Sequence, residues 1–462
     1  MYIPKIIYDI SQDLTLHDAK AVAVGGCVRD HFLHLPTKDY DIEVYGLESM
    51  DILIDILQHY GTVNLVGKSF GVLKFSYDGD EYDFSLPRSE KKIAKGHRGF
   101  DVTLDGSMHF KSAAKRRDFT INAMGYDISQ AQFLDPYNAM DDIEHRLLRH
   151  IDDDTFAQDP LRIYRAIQFS ARFGYNLAIP TLQLCKEMVA NGMLEHLAIE
   201  RVYSEIKKLL LKSPKPSIGF ELMRELGILS YYPELEALIG LPQSPKWHPE
   251  GDVWIHTLMS LDAMVPLLGS DEQRNLRYMF AILCHDLGKA LSTTIDIDQK
   301  IQSIGHEYKG REVTKRFMRR LTNEKSFIES LLPLVEHHLK PSQLYMAQSK
   351  ESAIRRLATK VNIEELVVIA KADFLGRSTQ EPKRGYYPAG EWLLEQSKKI
   401  GVASKPLDNI LQGRDLIEIG LTPSPRFKEI LDAVYSLQLN GKLNTKEQAI
   451  AYVKRTYIST SA

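Results

Sequence analysis

The chain has 462 residues, 44% apolar and 26% charged, which suits a soluble protein of two to four domains with real hydrophobic cores. Its 58 basic residues against 61 acidic ones leave a net charge of −3, which excludes a protein that coats nucleic acid through overall basicity. No apolar run approaches the ~20 residues that span a bilayer, MYIPKIIYDISQDLT has no signal-peptide pattern, and Cys27, Cys185 and Cys284 form no CxxC pair, so a cytoplasmic protein without a membrane partner or structural zinc is expected.

In chain order, residues 21–26 (AVAVGG), 42–45 (IEVY), 71–77 (GVLKFSY) and 81–86 (EYDFSL) read as strands. LESMDILIDILQHY, at 47–60, has helical spacing, so the start of the chain is a small α/β unit. Asp78-Gly79-Asp80 is a hairpin signal. Residues 88–110 are charged and contain glycine, and they read as a mobile loop. Basic residues cluster at Lys91-Lys92, Lys95 and His97-Arg98, and again at Lys115-Arg116-Arg117. Either cluster alone fits a solvated face as well as an RNA contact.

From about residue 140 the pattern is almost wholly helical: LRIYRAIQFSARFGY, PTLQLCKEMVANGML and IERVYSEIKKLLLK each show a period-3.6 apolar face. Pro242, Pro245 and Pro249 bracket a boundary near 240. A histidine-rich helical segment runs from about 245 to 380, and a helical tail follows Gly385. The expected division is a head at 1–140, a neck at 141–240, a third domain at 241–380 and a tail at 381–462.

Asp39 and Asp41 stand at i and i+2. On a strand they face one side, and two such carboxylates repel unless a cation sits between them. Mg²⁺ is held this way beside substrate phosphates. Asp83, on a neighbouring strand, is a candidate third ligand. A bare DxD also fits a turn or a strand edge. Gly25-Gly26 after a strand lets backbone approach phosphate, and Arg29, one turn on, can reach the same triphosphate. Together, GG-x-x-R and D-x-D describe a site for a nucleoside triphosphate and metal.

GGCVRD, KDYDIEV, KRRDFTINAM at 115–124, LDPY, QDPLRIYRAIQFSARF at 158–173 and GRDLIEIGL at 413–421 together resemble the class II tRNA nucleotidyltransferase and bacterial poly(A) polymerase family along essentially the whole chain. The resemblance implies an α+β multidomain fold: a small polymerase-beta-like nucleotidyltransferase head, a mostly helical neck, and a helical tail gripping tRNA. It implies CCA addition to tRNA 3′ ends from CTP and ATP. Asp39 and Asp41 would be catalytic Mg²⁺ ligands, and Gly26, Arg29 and Arg117 would hold the triphosphate. Asp118 and Asn122, i and i+4 on a short predicted helix, would bond the ribose. Asp159 and Arg162 would present a Watson–Crick-like edge to the base, and Arg165 would bind the nucleotide. The loop at 88–110 would assist the switch from C to A addition. The chain departs from the family at Gln158, at Asn138-Ala139 and at Ser112-Ala113-Ala114, which bears on nucleotide choice. An A-adding enzyme or poly(A) polymerase on the same scaffold is the alternative.

The third domain carries HPEGDVWIHTL, LCHDLGKA, IGHEYKG, LVEHHLKP and KADFLGR. His256, His285-Asp286 and Asp373 match the HD phosphohydrolase pattern. A mixed nitrogen and oxygen shell suits Mn, Ni, Co, Fe or Mg better than structural zinc. His306 and His337 are candidates for a second shell, a substrate phosphate or a second metal. The resemblance extends to nucleotidyltransferases with an appended HD domain, and implies hydrolysis of 2′,3′-cyclic or 2′-phosphates at RNA ends. A metal phosphohydrolase with an RNA-binding head, and a non-catalytic tRNA-binding module, are the other readings.

Overall fold

The computed structural model describes residues 1–37, 39–65, 71–92 and 100–458, with backbone alone at 89–92 and 100–102. Lys38, Lys95, His97 and Arg98 lie outside the described residues. The chain folds as two compact units, Met1–Ile228 and Leu229–Ala462. No helix among the described residues is long and apolar enough to cross a membrane.

The first unit begins with a seven-stranded sheet. Its strands are β1 (Lys20–Val24), β2 (Asp41–Tyr45), β3 (Thr62–Asn64), β4 (Val72–Tyr77), β5 (Asp80–Ser85), β8 (Gly125–Asp127) and β9 (Gln132–Leu134). They lie in the order β3-β4-β5-β2-β1-β8-β9, with β2 and β5 parallel and the other neighbours antiparallel. The four expected strands and the expected helix, Met50–Gln58, are present. Asp78 and Gly79 both have positive φ and join β4 to β5 across the closing pair Tyr77↔Asp80, as a two-residue hairpin requires.

Period-two alternation sorts the sheet. Ile42 and Val44 of β2, with Ala21 and Ala23 of β1, pack on Ile7, Ile10 and Leu14 of helix Lys5–Thr15 and Leu53 and Leu57 of Met50–Gln58. Asp41, Glu43 and Tyr45 alternate onto the other face. There Val22, Val24 and Tyr45 pack with Ala113, from helix Phe110–Ala114. Of the Ser112-Ala113-Ala114 triplet, the two alanines serve packing and are fully buried, while Ser112 is exposed.

Within 88–110, the described residues include a paired ribbon where a loop was expected. β6 (Arg88–Lys92) and β7 (Phe100–Leu104) pair antiparallel, from Arg88↔Leu104 to Lys92↔Phe100. Ladder bonds need only backbone groups, so the charged arm Arg88–Lys92 pairs with FDVTL, in which Phe100, Val102 and Leu104 alternate. Asn138 takes a left-handed conformation (φ 58°), which Asn tolerates. Asp135 accepts from the amides of Ala139 and Met140 at 2.7 and 3.0 Å, so the turn after LDPY is closed by its own carboxylate.

The helices Leu161–Phe173, Ile179–Ala190, Ile199–Lys212 and Pro216–Glu225 complete the first unit. In the second, Val253–Met264, Glu272–Cys284, His306–Arg319, Lys325–His337 and Ile363–Leu375 form a helical bundle. Gly376 and Gly288 allow close approaches within it. A Cβ at Gly376 would collide with Ser260, and one at Gly288 would overlap the His306 carbonyl oxygen. The tail has a small core of its own, in which Leu411, Leu416, Ile430 and Val434 are buried together.

Candidate functional site

In the head, β1 ends at a glycine turn. Gly25 has φ 72°, and a Cβ there would meet Arg117 Nη1 at 2.9 Å and lie 3.7 Å from Asp41 Oδ2. Arg117 and Asp41 thus face each other across a position that excludes any side chain. The Gly25 amide donates to Met124 at 3.3 Å, so this glycine supplies space rather than a donor. A Cβ at Gly26 would lie 3.6 Å from Arg29 Nη2.

β2 starts at Asp41, opposite Val24, and not at Asp39. The glycine turn leaves β1 with nothing to pair beyond Val24, so exposed Asp39 stands in the approach to the strand. The candidate third acid fits better: Asp83 is the register partner of Asp41 on β5. Desolvation raises the Asp41 carboxyl above its ordinary range. Arg117 opposes this, and Asp83, Asp39 and Glu43 add to it. A carboxylate whose neighbours resist its charge favours a cation, so these acids fit Mg²⁺. The clusters of three close-set ligand atoms among the described residues nevertheless all lie in the second unit.

Glu43, which sequence reasoning missed, is buried beneath Arg116 and Arg117. Its Oε1 accepts from Arg116 at 2.5 Å and from Arg117 at 3.3 Å, while Tyr45 donates to Oε2 at 2.8 Å. Burial pushes its carboxyl up, but Arg117 and Arg116 outweigh that and hold it below the usual range. The signal was present in the i, i+2 spacing of Asp41 and Glu43 along β2.

Asp118 and Asn122 are brought together as expected, across a 3₁₀ turn (Thr120–Asn122) rather than an α-helix. Asn122 Nδ2 donates to Asp118 Oδ1 at 2.8 Å. Asp118 Oδ2 accepts from Arg165 at 2.6 Å, and Asn122 Oδ1 accepts from Arg29 at 2.7 Å. Arg29 also donates to Asp30 at 2.6 Å, and its guanidinium lies 4.9 Å from the Phe173 ring centroid. An unbroken polar chain therefore runs Arg165–Asp118–Asn122–Arg29–Asp30. Burial raises the Asp118 carboxyl, but Arg165 above all outweighs it and the net shift is downward.

Asp159 and Arg162 open helix Leu161–Phe173. Asp159 Oδ2 accepts from Arg201 at 2.8 Å. Arg162 donates to the Thr155 and Arg116 carbonyls at 2.8 and 2.5 Å. Backbone acceptors thus brace Arg162. Arg201 carries no local sequence signal, since it comes from the next but one helix.

In the second unit, His285 closes helix Glu272–Cys284, and Asp286 caps the 3₁₀ turn Leu287–Leu291. His256, His285 and Asp373 bring ligand atoms within 4.8 Å of one another, as do Asp286, His306 and His338. All four expected residues therefore converge. His338, and not His337, joins them. His337 is the last residue of its helix, and the ~100° turn per residue sends its neighbour inward.

The four imidazoles share one orientation. Nδ1 of His256 faces Glu250 Oε1 at 2.9 Å, and Nδ1 of His285, His306 and His338 faces a backbone carbonyl at 2.6, 2.7 and 2.7 Å. Each Nδ1 therefore carries the proton and each Nε2 presents a lone pair. His256 Nε2 lies 3.1 Å from Asp373 Oδ1, and His306 Nε2 lies 3.2 Å from Asp286 Oδ1. His306 and His338 turn their Nε2 atoms on each other at 3.4 Å. His285 Nε2 is buried, 3.2 Å from Asp286 Oδ2. Converging lone pairs and carboxylates fit a divalent cation or two, and nitrogen–oxygen donors without thiolate fit a transition metal.

Five further residues complete the site and were missed from sequence. Glu250 accepts from both His248 and His256 at 2.9 Å, and Ser378 donates its amide to Oε2 at 3.0 Å. Lys289 lies 2.6 Å from Asp286 Oδ2. Arg377 forks onto both Asp373 oxygens at 3.2 and 3.1 Å. Burial raises the Asp286 and Asp373 carboxyls. It is outweighed at Asp286 chiefly by His285 and Lys289, and at Asp373 chiefly by Arg377 and His256, so both end well below the usual range.

Family models match in the same order as these sites. The poly A polymerase head domain matches residues 21–149, the probable RNA and SrmB-binding site of polymerase A matches 174–239, and the HD domain matches 253–377. The fold is similar to that of a Bacillus stearothermophilus CCA-adding enzyme in complex with CTP, with TM-score 0.69, 23% identity, and 100% and 99% of the two chains covered. It is also similar to a Thermotoga maritima CCA-adding enzyme complexed with tRNA, with TM-score 0.61, 18% identity, and 98% and 96% covered. With head, RNA-binding and HD segments in sequence on that fold, the chain belongs to the class II CCA-adding enzyme and poly(A) polymerase family, whose members are nucleotidyltransferases.

Proposed function

We propose that the chain adds CCA to tRNA 3′ ends without a template, using CTP and ATP. The observation that carries this reading is the polar chain from Arg165 through Asp118 and Asn122 to Arg29, beside the Gly25 turn where Arg117 and Asp41 meet. Such a chain holds a ribose-bonding pair in register with phosphate-binding groups. Asp118 and Asn122 bond the ribose hydroxyls, while Arg117, Arg29 and the Gly26 backbone orient the triphosphate. Asp159 and Arg162, steadied by Arg201 and by two carbonyls, offer acceptor and donor edges to the base. Mg²⁺ held by Asp39 and Asp41, with Asp83 alongside, would supply charge neutralisation and activation of the RNA hydroxyl. The terminal hydroxyl attacks the α-phosphate and pyrophosphate leaves. The protein's part is positioning and electrostatics.

Incorporation of labelled CTP and ATP on tRNA ending before or after its CC tests the reading. Addition of C, C and then A is expected. Addition of A alone would assign an A-adding enzyme or a poly(A) polymerase on the same scaffold.

The second unit carries a separate metal-dependent phosphohydrolase activity in this proposal. The shared Nδ1-anchored orientation of His256, His285, His306 and His338 supports it. Mn, Ni, Co, Fe or Mg held by these residues with Asp286 and Asp373 would supply an activated water. Lys289 and Arg377 would hold the phosphate. Release of phosphate or ring opening of a 2′,3′-cyclic end, lost in Asp286→Ala, is the expected result.

A further inference from the structure

The histidine cluster opens into a cavity of about 290 Å³, lined by Asp286, Lys289, His306, His338, Asp373 and Arg377 among others. A second cavity, of about 680 Å³, lies beside it. Trp247, Ser342, Met346 and Arg377 line both, so the two are adjacent.

Their walls differ in kind. The inner cavity is ringed by imidazole, carboxylate and cation. The outer one is walled by Trp247, Tyr345, Phe374, Tyr386 and Tyr387. Trp247 is 50% exposed and Tyr386 55% exposed, large aromatic faces that the fold leaves uncovered. The Phe374 and Tyr387 rings contact each other at 4.9 Å between centroids. Lys246 sits 4.9 Å from the Trp247 ring centroid. Lys246 and Arg384 stand in this wall against one acid, Glu381.

We propose that the outer cavity is a nucleobase subsite, which takes the base of a phosphoester whose phosphate lies against Lys289 and Arg377 in the inner cavity. The proposal rests on the phosphohydrolase reading of the second unit and names the part of the substrate beyond the phosphate. A base is a flat, apolar-faced heterocycle, and open aromatic rings receive it by stacking whatever its identity. The cavity volume lies within the ~300–1,000 Å³ usual for small-molecule pockets. Met346, 76% exposed, is an adaptable surface at the junction. Arg377 serves both cavities. It holds Asp373 in the inner one and reaches the wall of the outer one, where a ribose linking base to phosphate would lie. A base-free phosphate would leave the aromatic wall without use. The shared chemistry is a nucleoside 2′-phosphate or 2′,3′-cyclic phosphate, whether free or at an RNA end.

The chain has three tryptophans, Trp247, Trp254 and Trp392, all in the second unit, so their emission reports there and not in the head. Adenosine 2′-monophosphate titrated into the metal-loaded full chain should quench emission saturably, while inorganic phosphate should not. Trp247→Leu should remove the quench, and Tyr386→Ala should raise the apparent Kd about tenfold. Equal responses to phosphate and nucleotide, or an unchanged Kd in Tyr386→Ala, overturn the subsite. In hydrolysis, adenosine 2′,3′-cyclic phosphate should show a lower KM than base-free glycerol 1,2-cyclic phosphate, and the two should converge in Tyr386→Ala. Water cleaves one ester bond in each, giving a monoester. Hydrolysis of both with equal KM removes the subsite and leaves the phosphohydrolase reading. A Tyr386-dependent quench without any hydrolysis does the reverse. An oligoribonucleotide ending in a 2′,3′-cyclic phosphate completes the set: a KM below that of the mononucleotide assigns RNA ends, and one above it assigns free nucleotides.

Discussion

The two sites satisfy their polar groups in opposite ways. In the head, Arg165, Asp118, Asn122 and Arg29 pair with one another, so the groups that would meet the nucleotide are already braced by protein. In the second unit, four imidazoles anchor Nδ1 on protein and turn Nε2 toward each other and toward two buried carboxylates. One site is preorganised by its own ion pairs. The other pairs Asp286 with Lys289 and Asp373 with Arg377, yet still turns four Nε2 lone pairs into one buried space. Buried polar groups left without partners are costly, so a cation should matter to the stability of the second unit far more than to that of the head.

The largest effects should separate the two chemistries. Asp41→Ala should cut nucleotide incorporation by at least about 10³-fold, because it removes charge compensation at the reacting phosphate. Phosphoester hydrolysis by the second unit should be untouched. Asp286→Ala should do the reverse. Paired incorporation and hydrolysis assays on both variants check this, and a loss of both activities in either variant breaks the comparison. Metal removal comes next. A ligand present at a thousand times its Kd stabilises the state that binds it by about 4 kcal/mol. Chelation should therefore lower one calorimetric transition, that of the second unit, by several degrees. A head transition that falls equally would show that the contrast is wrong.

Much of this contrast was legible in sequence because both sites use local spacing. Asp118 and Asn122 lie four residues apart, and the His285-Asp286 pair marks a helix end. Period two put Asp39 and Asp41 on one side, but it could not show that Asp39 falls short of the strand. That depends on where β1 stops, which is a matter of pairing. The ribbon at 88–92 and 100–104 was hidden because Arg88–Lys92 is charged, and the alternation of Phe100, Val102 and Leu104 in its partner is too short to stand out alone. Glu250, Arg377, Lys289 and Arg201 act through contacts that only the fold creates. The choice between His337 and His338 turned on helical phase at the last turn, where sequence reading is off by a residue.

Smaller effects test how self-sufficient the head network is. Asp118→Ala leaves Arg165 and Asn122 without their shared acceptor. Arg165 keeps about a third of its side chain in solvent, 33%, which softens the loss. A destabilisation of about 2–3 kcal/mol is expected by denaturant titration, with poorer discrimination of NTP from dNTP. Loss of discrimination at unchanged stability would mean that Asp118 serves the substrate and not the scaffold.

The smallest effect concerns how His256 is aimed. Glu250 accepts from His256 and His248 at once, which fixes both protons on Nδ1. In Glu250→Gln one amide oxygen has to serve both rings without a full negative charge, and the new NH₂ group faces donors. His256 then samples the other tautomer, in which Nε2 carries the proton and cannot bind a metal. Partners of this kind are worth about 10- to 100-fold in metal affinity. Competition between the full chain and a chromophoric chelator measures the change directly. The variant should keep its fold and its incorporation activity, because Glu250 belongs to the second unit. An unchanged affinity would show that the carbonyl-anchored trio, His285, His306 and His338, holds the metal without help from His256.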